Sequence, residues 1–454
     1  MNFYSDNRLR LTSHFLRRSV LGGLLSLSAL VFLVRAEKAN VVMIMADDIG
    51  FECFGSYGST EYSTPRIDSL ASGGIQFNHC HSTPLCTPSR VNLLSGKSNV
   101  FNYEDFGVYP KGEPTFANYF KGHGYATGVA GKWQLMTKSG GLSANEAGFD
   151  TYCLWNTPKT ERTRYWDPSY EMNGKLIDLP PDTYGPDIMT EFLIRFIEEN
   201  RDRPFLAYYP MNLVHSPFPP TPDSVDRQET DEKKNFVDMV AYMDKCVGRL
   251  VDVLEAFGLR DKTLIVFTGD NGTHDRLISN LNGGRVRGGK GFTHDYGTHV
   301  PLILNWPGRI LAGQTNEDLI CFSDFFPTLV ESVGLPARLI NDGDGWSFWP
   351  QCVGSEGKRR EWIYGYYFPR PYAQQFDRKY QHFEVRYARD KRFKLYGNGQ
   401  LFDTVSDVLE KSPISLDSGS PESEVARKRL TGVLKDHPSR GRGIDYNRVN
   451  GKMP

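Results

Sequence analysis

Short apolar runs rich in β-branched residues recur along the chain between stretches of helical periodicity, and this alternation predicts a mostly parallel sheet covered by helices on both faces. The predicted strands are Val41–Ala46, Tyr125–Ala130, Phe205–Tyr209, Leu264–Thr268 and Leu302–Leu304. The clearest helix covers Asn235–Phe257, where Phe236, Val240, Met243, Val247, Leu250, Leu254 and Phe257 form one stripe and Gly258 supplies a stop. Past about Trp346 the texture changes to alternating Tyr- and Arg-rich segments, Phe383–Arg389 and Phe393–Tyr396, which predict a small antiparallel sheet. Asn398-Gly399 ahead of Leu401-Phe402 signals a hairpin, since both residues tolerate positive φ. From about Ser412 a surface helix with a loose tail is expected.

The first 36 residues follow a different pattern. Arg8, Arg10, Arg17 and Arg18 precede an apolar run from Val20 to Val34, and Val34-Arg35-Ala36 resembles a small-residue cleavage site. The run falls short of the roughly 18 apolar residues a spanning helix needs, so a cleaved signal peptide is expected and a stable membrane span is not. Export to the periplasm or beyond follows. The predicted organisation is a signal peptide over 1–36, an α/β domain over 37–345 and a C-terminal antiparallel sheet subdomain over 346–454, in keeping with a chain too long for most single cores.

Charge and cysteine usage narrow the picture further. Residues 1–36 carry five arginines against Asp6, so without them the formal charge falls from −1 to −5 and nucleic acid is not indicated as a partner. The seven cysteines show no CxxC pair and no zinc spacing, and an odd set leaves one thiol to be explained.

In an open parallel sheet, ligands bind beyond the carboxyl ends of the strands. Asp47-Asp48 follow one apolar run directly and Asp270-Asn271 follow another. Either pair alone would serve equally as a cap or turn. Converging at one edge, three carboxylates and an amide oxygen need a cation among them, and all-oxygen ligands suit calcium or magnesium better than zinc. A third element is Cys86-Thr87-Pro88-Ser89-Arg90. Thr87 is predicted to cap a helix opening with Pro88, which sets Cys86 at a positive helix end that lowers a thiol's pKa.

Cys86-x-Pro88-x-Arg90 with Leu94-Ser95-Gly96 resembles the signature of the type I, formylglycine-dependent sulfatases, arylsulfatase-like members of the alkaline phosphatase superfamily. Asp47-Asp48-Ile-Gly50, Gly131-Lys132-Trp133, His215-Ser-Pro217, Gly269-Asp270-Asn271-Gly272 and Arg287-Gly-Gly-Lys290-Gly291 arrive in that family's order. The resemblance spans about residues 40–310, with an echo in Lys394-Leu395 and Leu401-Phe402-Asp403. It implies an alkaline-phosphatase-like fold and hydrolysis of sulfate esters, with sulfated carbohydrate the favoured substrate. It also implies that Cys86 is oxidised to formylglycine by a formylglycine-generating maturation enzyme, and that calcium is held by Asp47, Asp48, Asp270, Asn271 and the modified Cys86. Arg90, Lys132, His215 and Lys290 are the implied catalytic set; Gln134, Arg287 and His294 join Lys132, His215 and Lys290 on the substrate side.

Two departures stand out. The family usually has histidine after Lys132-Trp133, where this chain has Gln134, which cannot titrate. Past Lys290 the familiar Glu-Gly-Gly-x-Arg becomes Asp295-Tyr296-Gly297-Thr298-His299. His215, rather than Gln134, is therefore expected to give a proton to the leaving alcohol. The alternatives are a phosphatase or phosphonate monoester hydrolase of the same superfamily, and a non-catalytic carbohydrate-binding relative. Gly284 to Lys290 nearly spells a phosphate-binding loop, but Gly291 stands where Ser or Thr belongs. Asn271-Gly-Thr273 is formally a glycan acceptor, which a metal ligand excludes.

Overall fold

Apolar alternation along the first predicted strand explains its place at the centre of the molecule: Val41, Met43 and Met45 enter one core while Val42, Ile44 and Ala46 enter a second. The computed structural model describes residues 38–440 apart from 138–139, 162, 178, 337–343, 369–383 and 418. The expected signal peptide lies outside the described residues, as do Phe383 and the tail beyond residue 440.

The strands in chain order are β1 (Asn40–Ala46), β2 (Ile75–His81), β3 (Ala126–Lys132), β4 (Thr151–Trp155), β5 (Tyr170–Met172), β6 (Lys175–Ile177), β7 (Phe205–Pro210), β8 (Thr263–Gly269), β9 (Ile278–Leu281), β10 (Gly284–Arg287), β11 (His299–Asn305), β12 (Gln314–Cys321), β13 (Ile363–Tyr367), β14 (Val385–Arg389), β15 (Phe393–Tyr396) and β16 (Leu401–Asp403). Ten of them form a mixed sheet in the order β12-β2-β11-β8-β1-β7-β3-β4-β5-β6, and the last four form an antiparallel sheet. The expected mostly parallel sheet with a small antiparallel companion is what the chain adopts. Helices Gly185–Glu199 and Glu232–Ala256 bury their stripes in one core, and Cys86–Ser95, Phe116–Gly122 and Phe325–Ser332 in the other.

The long helix starts three residues before the predicted Asn235 because the Asp231 side chain accepts from the Lys233 and Lys234 amides; Gly258, at φ 65°, lies just past its end. At the Asn398-Gly399 turn only Gly399 takes the left-handed conformation, at φ 89°. The near phosphate-loop sequence from Gly284 is the outer strand of the β9–β10 hairpin.

Sheet direction decides where the chemistry collects. β1 pairs in parallel with β7 and β8, and β3 with β7, so their carboxyl ends share one edge. β11 runs antiparallel to β2 and β8, which brings the segment leading into it, with Lys290, to that same edge. Gly131, at φ 135°, lets β3 pass the end of β7, since a Cβ there would lie 1.9 Å from the Pro210 carbonyl oxygen.

Candidate active site

The carboxylates emerge from the two central strands and bind each other's loops. β1 and β8 are in register at Ala46 and Gly269, so Asp47-Asp48 and Asp270-Asn271 leave the sheet side by side. The Asp48 amide donates to Asp270 Oδ1 at 3.0 Å, and Asn271 Nδ2 donates to Asp48 Oδ1 at 2.9 Å. Asp48 sits at φ 59°, a conformation uncommon for a non-glycine residue and held by these bonds. All four residues are at most 1% exposed.

Cations arrive from separate elements. Lys132, the last residue of β3, places Nζ 2.8 Å from both oxygens of Asp47. Arg90 donates from Nη2 to Asp270 Oδ2 at 2.8 Å and from Nη1 to the Lys132 carbonyl at 2.9 Å. Lys290 donates to Asp48 Oδ2 and lies 2.9 Å from His215 Nε2. His215 Nδ1 donates to the Ser216 carbonyl at 2.6 Å, which leaves Nε2 as the acceptor facing Lys290. Arg164 adds a fourth cation, with Nη1 3.5 Å from Asp47 Oδ2.

Cys86 begins helix Cys86–Ser95 and is 2% exposed. The cap differs from the predicted one: the helix opens one residue before Thr87, with Leu85 at the capping position, and the Thr87 hydroxyl accepts from the Gly107 amide at 3.2 Å instead. Pro88 remains within the first turn, where its missing N–H costs nothing. Cys86 still stands at the positive helix end. All seven cysteines are free thiols.

The electrostatics follow from burial and crowding. Burial pushes Asp47 up, but Lys132, Arg90 and Arg164 outweigh it and hold the carboxyl below its ordinary value. Burial and neighbouring Asp47 push Asp270 up to about 7 against the pull of Arg90 and Lys132. Burial opposes the charge on Lys290, yet Asp48, Cys86 and Asp47 hold its pKa above the ordinary value. Burial, then Lys290, Arg164 and Lys132, keep His215 well below its ordinary value, so the imidazole is neutral and its Nε2 faces Lys290 as an acceptor.

The donor set fits a hard cation. Asp47, Asp48 and His215 bring ligand atoms within 4.8 Å of one another, and Asn271 Oδ1 is buried with no hydrogen-bond partner. The Asp47 and Asp48 carboxylates with an unsatisfied amide oxygen, and Asp270 bonded to the Asp48 amide beside them, are hard oxygen donors of the kind calcium takes.

The structure does not tie every expected residue to this cluster. Arg287 is exposed on β10 and donates to the Asp275 carbonyl at 3.0 Å; His294 stacks on Phe292 at 5.4 Å. Gln134, at φ 52°, has its Oε1 buried without a partner. Sequence reasoning missed Arg164, which lies in an irregular stretch between β4 and β5 with no motif around it. It also missed Glu52, four residues past Asp48, whose carboxyl is wholly buried with no well-formed hydrogen bond and only the Thr273 hydroxyl and its own backbone to ease its charge.

Burial pushes Glu52 up to about 7 from 4.5. The folded protein therefore keeps a proton that the unfolded chain has released, so stability present below about pH 4.5 is lost as pH rises through 7, on the order of 3 kcal/mol. Glu52→Gln is expected to flatten that dependence, read as the denaturant midpoint at pH 5 and pH 8. An unchanged pH dependence would count against it.

The sulfatase family model matches residues 39–335, and the C-terminal model of N-sulphoglucosamine sulphohydrolase matches residues 289–434. Arylsulfatase A of Homo sapiens is 29% identical over 367 residues, covering 73% of this chain and 71% of its own. The N-acetylgalactosamine-6-O-sulfatase of Bacteroides thetaiotaomicron is 28% identical over 411 residues, covering 72% of this chain and 79% of its own. The fold matches the crystal structure of Ps i-CgsB in complex with k-i-k-neocarrahexaose with a TM-score of 0.74 at 23% identity, over 88% of this chain and 92% of that one.

Proposed function

Because the chain belongs to the sulfatase family and is a sulfuric ester hydrolase, we propose that it removes sulfate from sulfated carbohydrates, using a formylglycine made from Cys86 and a calcium ion held by Asp47, Asp48, Asp270, Asn271 and residue 86. The observation that carries this reading is the charge balance of the buried cluster. Lys132, Arg90, Lys290 and Arg164 surround Asp47, Asp48 and Asp270. A divalent cation added to that set leaves a surplus of positive charge, which an anionic ester offsets. A carbohydrate substrate is supported by relatives named for sulfated sugars.

When present, the formylglycine hydrate supplies the nucleophilic oxygen and calcium supplies positive charge at a sulfate oxygen. The remaining work falls to the chain's own side chains. Lys132 and Lys290 hold sulfate oxygens as charge moves outward from sulfur, and Arg90 locks Asp270 against the Lys132 carbonyl. The leaving oxygen faces the Lys290–His215 pair, in which the proton resides on Lys290 and Nε2 accepts from it. Negative charge on the bound ester raises the affinity of that pair for protons, so His215 can pass one on. Gln134, Arg287 and His294 serve as substrate contacts. His294 Nδ1, like Gln134 Oε1, is buried without a partner of its own.

The folded protein hides Cys86 and Arg90, at 2% and 1% exposure, so the maturation enzyme must read the Cys86–Arg90 segment before folding. Export by residues 1–36 fits that order. Among the described residues no helix is long and apolar enough to cross a membrane.

Protein coexpressed with a formylglycine-generating enzyme is expected to cleave a chromogenic aryl sulfate and a sulfated oligosaccharide, and to leave matched phosphate and phosphonate esters largely intact. Faster turnover of the phosphorus esters would contradict the substrate reading. His215→Ala is expected to reduce sugar-sulfate turnover about 10-fold more than aryl-sulfate turnover, because a sugar alkoxide needs a proton that a phenolate does not. Equal losses on the two substrates would place the proton elsewhere, with Lys290→Ala the next variant to measure.

A further inference from the structure

Arg164 is held in place more firmly than its one ion pair requires. Its guanidinium lies over the Trp155 ring at 4.4 Å, and that indole is fixed by its own bond to the Glu161 carbonyl at 3.0 Å. The Arg164 carbonyl accepts from Asn212 Nδ2 at 3.4 Å, and the neighbouring Tyr165 hydroxyl bonds the Asn212 and His215 carbonyls at 2.8 and 2.5 Å. The stretch bearing Arg164 is thus riveted to the loop bearing His215.

The carboxylate it faces is already served. Asp47 has the Lys132 ammonium 2.8 Å from each oxygen and Arg90 at 3.7 Å, whereas Arg164 reaches it only at 3.5 Å. Among the described residues this long contact is the only ion pair Arg164 makes, and its side chain is 11% exposed where those of Lys132 and Asp47 are at 0%. Its charge also reaches His215, second among the cations that depress that imidazole. A guanidinium held rigidly beside a cation-rich cluster, and touching only Asp47 and Tyr165 through polar groups among the described residues, is arranged to receive an anion.

We propose that Arg164 grips the sulfate group itself, as a third cation beside Lys132 and Lys290. The inference rests on the sulfatase reading above and deepens it. A planar fork can span two sulfate oxygens, and its hold strengthens as the group passes from the singly charged ester toward the doubly charged product. Arg164 therefore acts in turnover and in retention of product.

Kinetics and calorimetric titration with inorganic sulfate on the calcium-loaded enzyme test this. Arg164→Ala is expected to lower kcat/KM for an aryl sulfate by about 10²-fold and to weaken inorganic sulfate binding by about 10-fold or more, with calcium content and Tm unchanged. Arg164→Lys is expected to recover part of both, since it keeps the charge and loses the fork. Sulfate affinity within twofold of wild type in Arg164→Ala would overturn the proposal while leaving the sulfatase reading intact. Affinity lost only together with calcium and Tm would also overturn it, making Arg164 a prop for Asp47. Wild-type enzyme that neither binds sulfate nor cleaves its esters would overturn both.

Discussion

Cys86→Ala is expected to lower kcat/KM on every sulfate ester by about 10⁴-fold or more, the scale of losing a nucleophile while the surrounding electrostatics remain. The loss should be confined to chemistry. Helix Cys86–Ser95 is begun by backbone bonds such as Ser89 N to the Leu85 carbonyl at 3.2 Å, and its packing comes from Val91, Leu93 and Leu94, none of which the substitution touches. The variant should melt within a few degrees of wild type and still bind inorganic sulfate, with calcium held by Asp47, Asp48, Asp270 and Asn271 but more weakly for want of the ligand at residue 86. A variant with more than a tenth of wild-type turnover would mean that another group attacks sulfur.

Asp270→Ala is expected to be damaging in two ways at once. Asp270 accepts from Arg90 Nη2 at 2.8 Å and Nε at 3.3 Å and from the Asp48 amide at 3.0 Å, all in a wholly buried setting. Its removal leaves the Arg90 guanidinium, 1% exposed, with the Lys132 carbonyl as its remaining close partner, and breaking such a buried pair costs about 3–5 kcal/mol. It also frees Asp48 from the bond that holds its left-handed backbone. Calcium is expected to raise the Tm of the wild-type protein by binding the folded state alone, and the variant should show no such rise. Asp270→Asn separates the two effects, since its single amide oxygen can still accept from either Arg90 or the Asp48 amide while a charge is removed: it should fold better than Asp270→Ala and still lack calcium and activity. A calcium-dependent rise in Tm surviving in both variants would show that the ion is held elsewhere.

How much of this was legible depended on whether a residue's role was local. Asp47-Asp48 and Asp270-Asn271 were readable because each pair directly follows an apolar run, and the parallel register of β1 and β8 then brings the pairs together. Strand β2 was not readable: Ile75–His81 interleaves Gln76, Asn78, His79 and His81 with its apolar residues, a texture closer to a loop than to a strand inside a ten-stranded sheet. Strands β5 and β6, of three residues each, are too short to show any period. The Thr87 cap failed because the helix starts one residue earlier and tertiary contact with Gly107 claims the hydroxyl. Arg164 left no signal, since its meaning lies in contacts with Asp47 and Trp155 that no spacing along the chain encodes. For His215 the sequence shows the residue but not its surroundings: it contains Lys290, Arg164 and Lys132 without revealing that all three charges reach the same imidazole and lower its pKa.

Formylglycine at position 86 is the claim on which the chemistry turns, and it is measured directly by peptide mass spectrometry alongside turnover of an aryl sulfate. Preparations made with and without a formylglycine-generating enzyme will differ in the converted fraction of the peptide containing Cys86 to Arg90. Turnover per mole of protein should rise in proportion to that fraction and extrapolate to zero where none is converted. Full turnover from protein whose residue 86 is entirely unmodified cysteine would contradict the account.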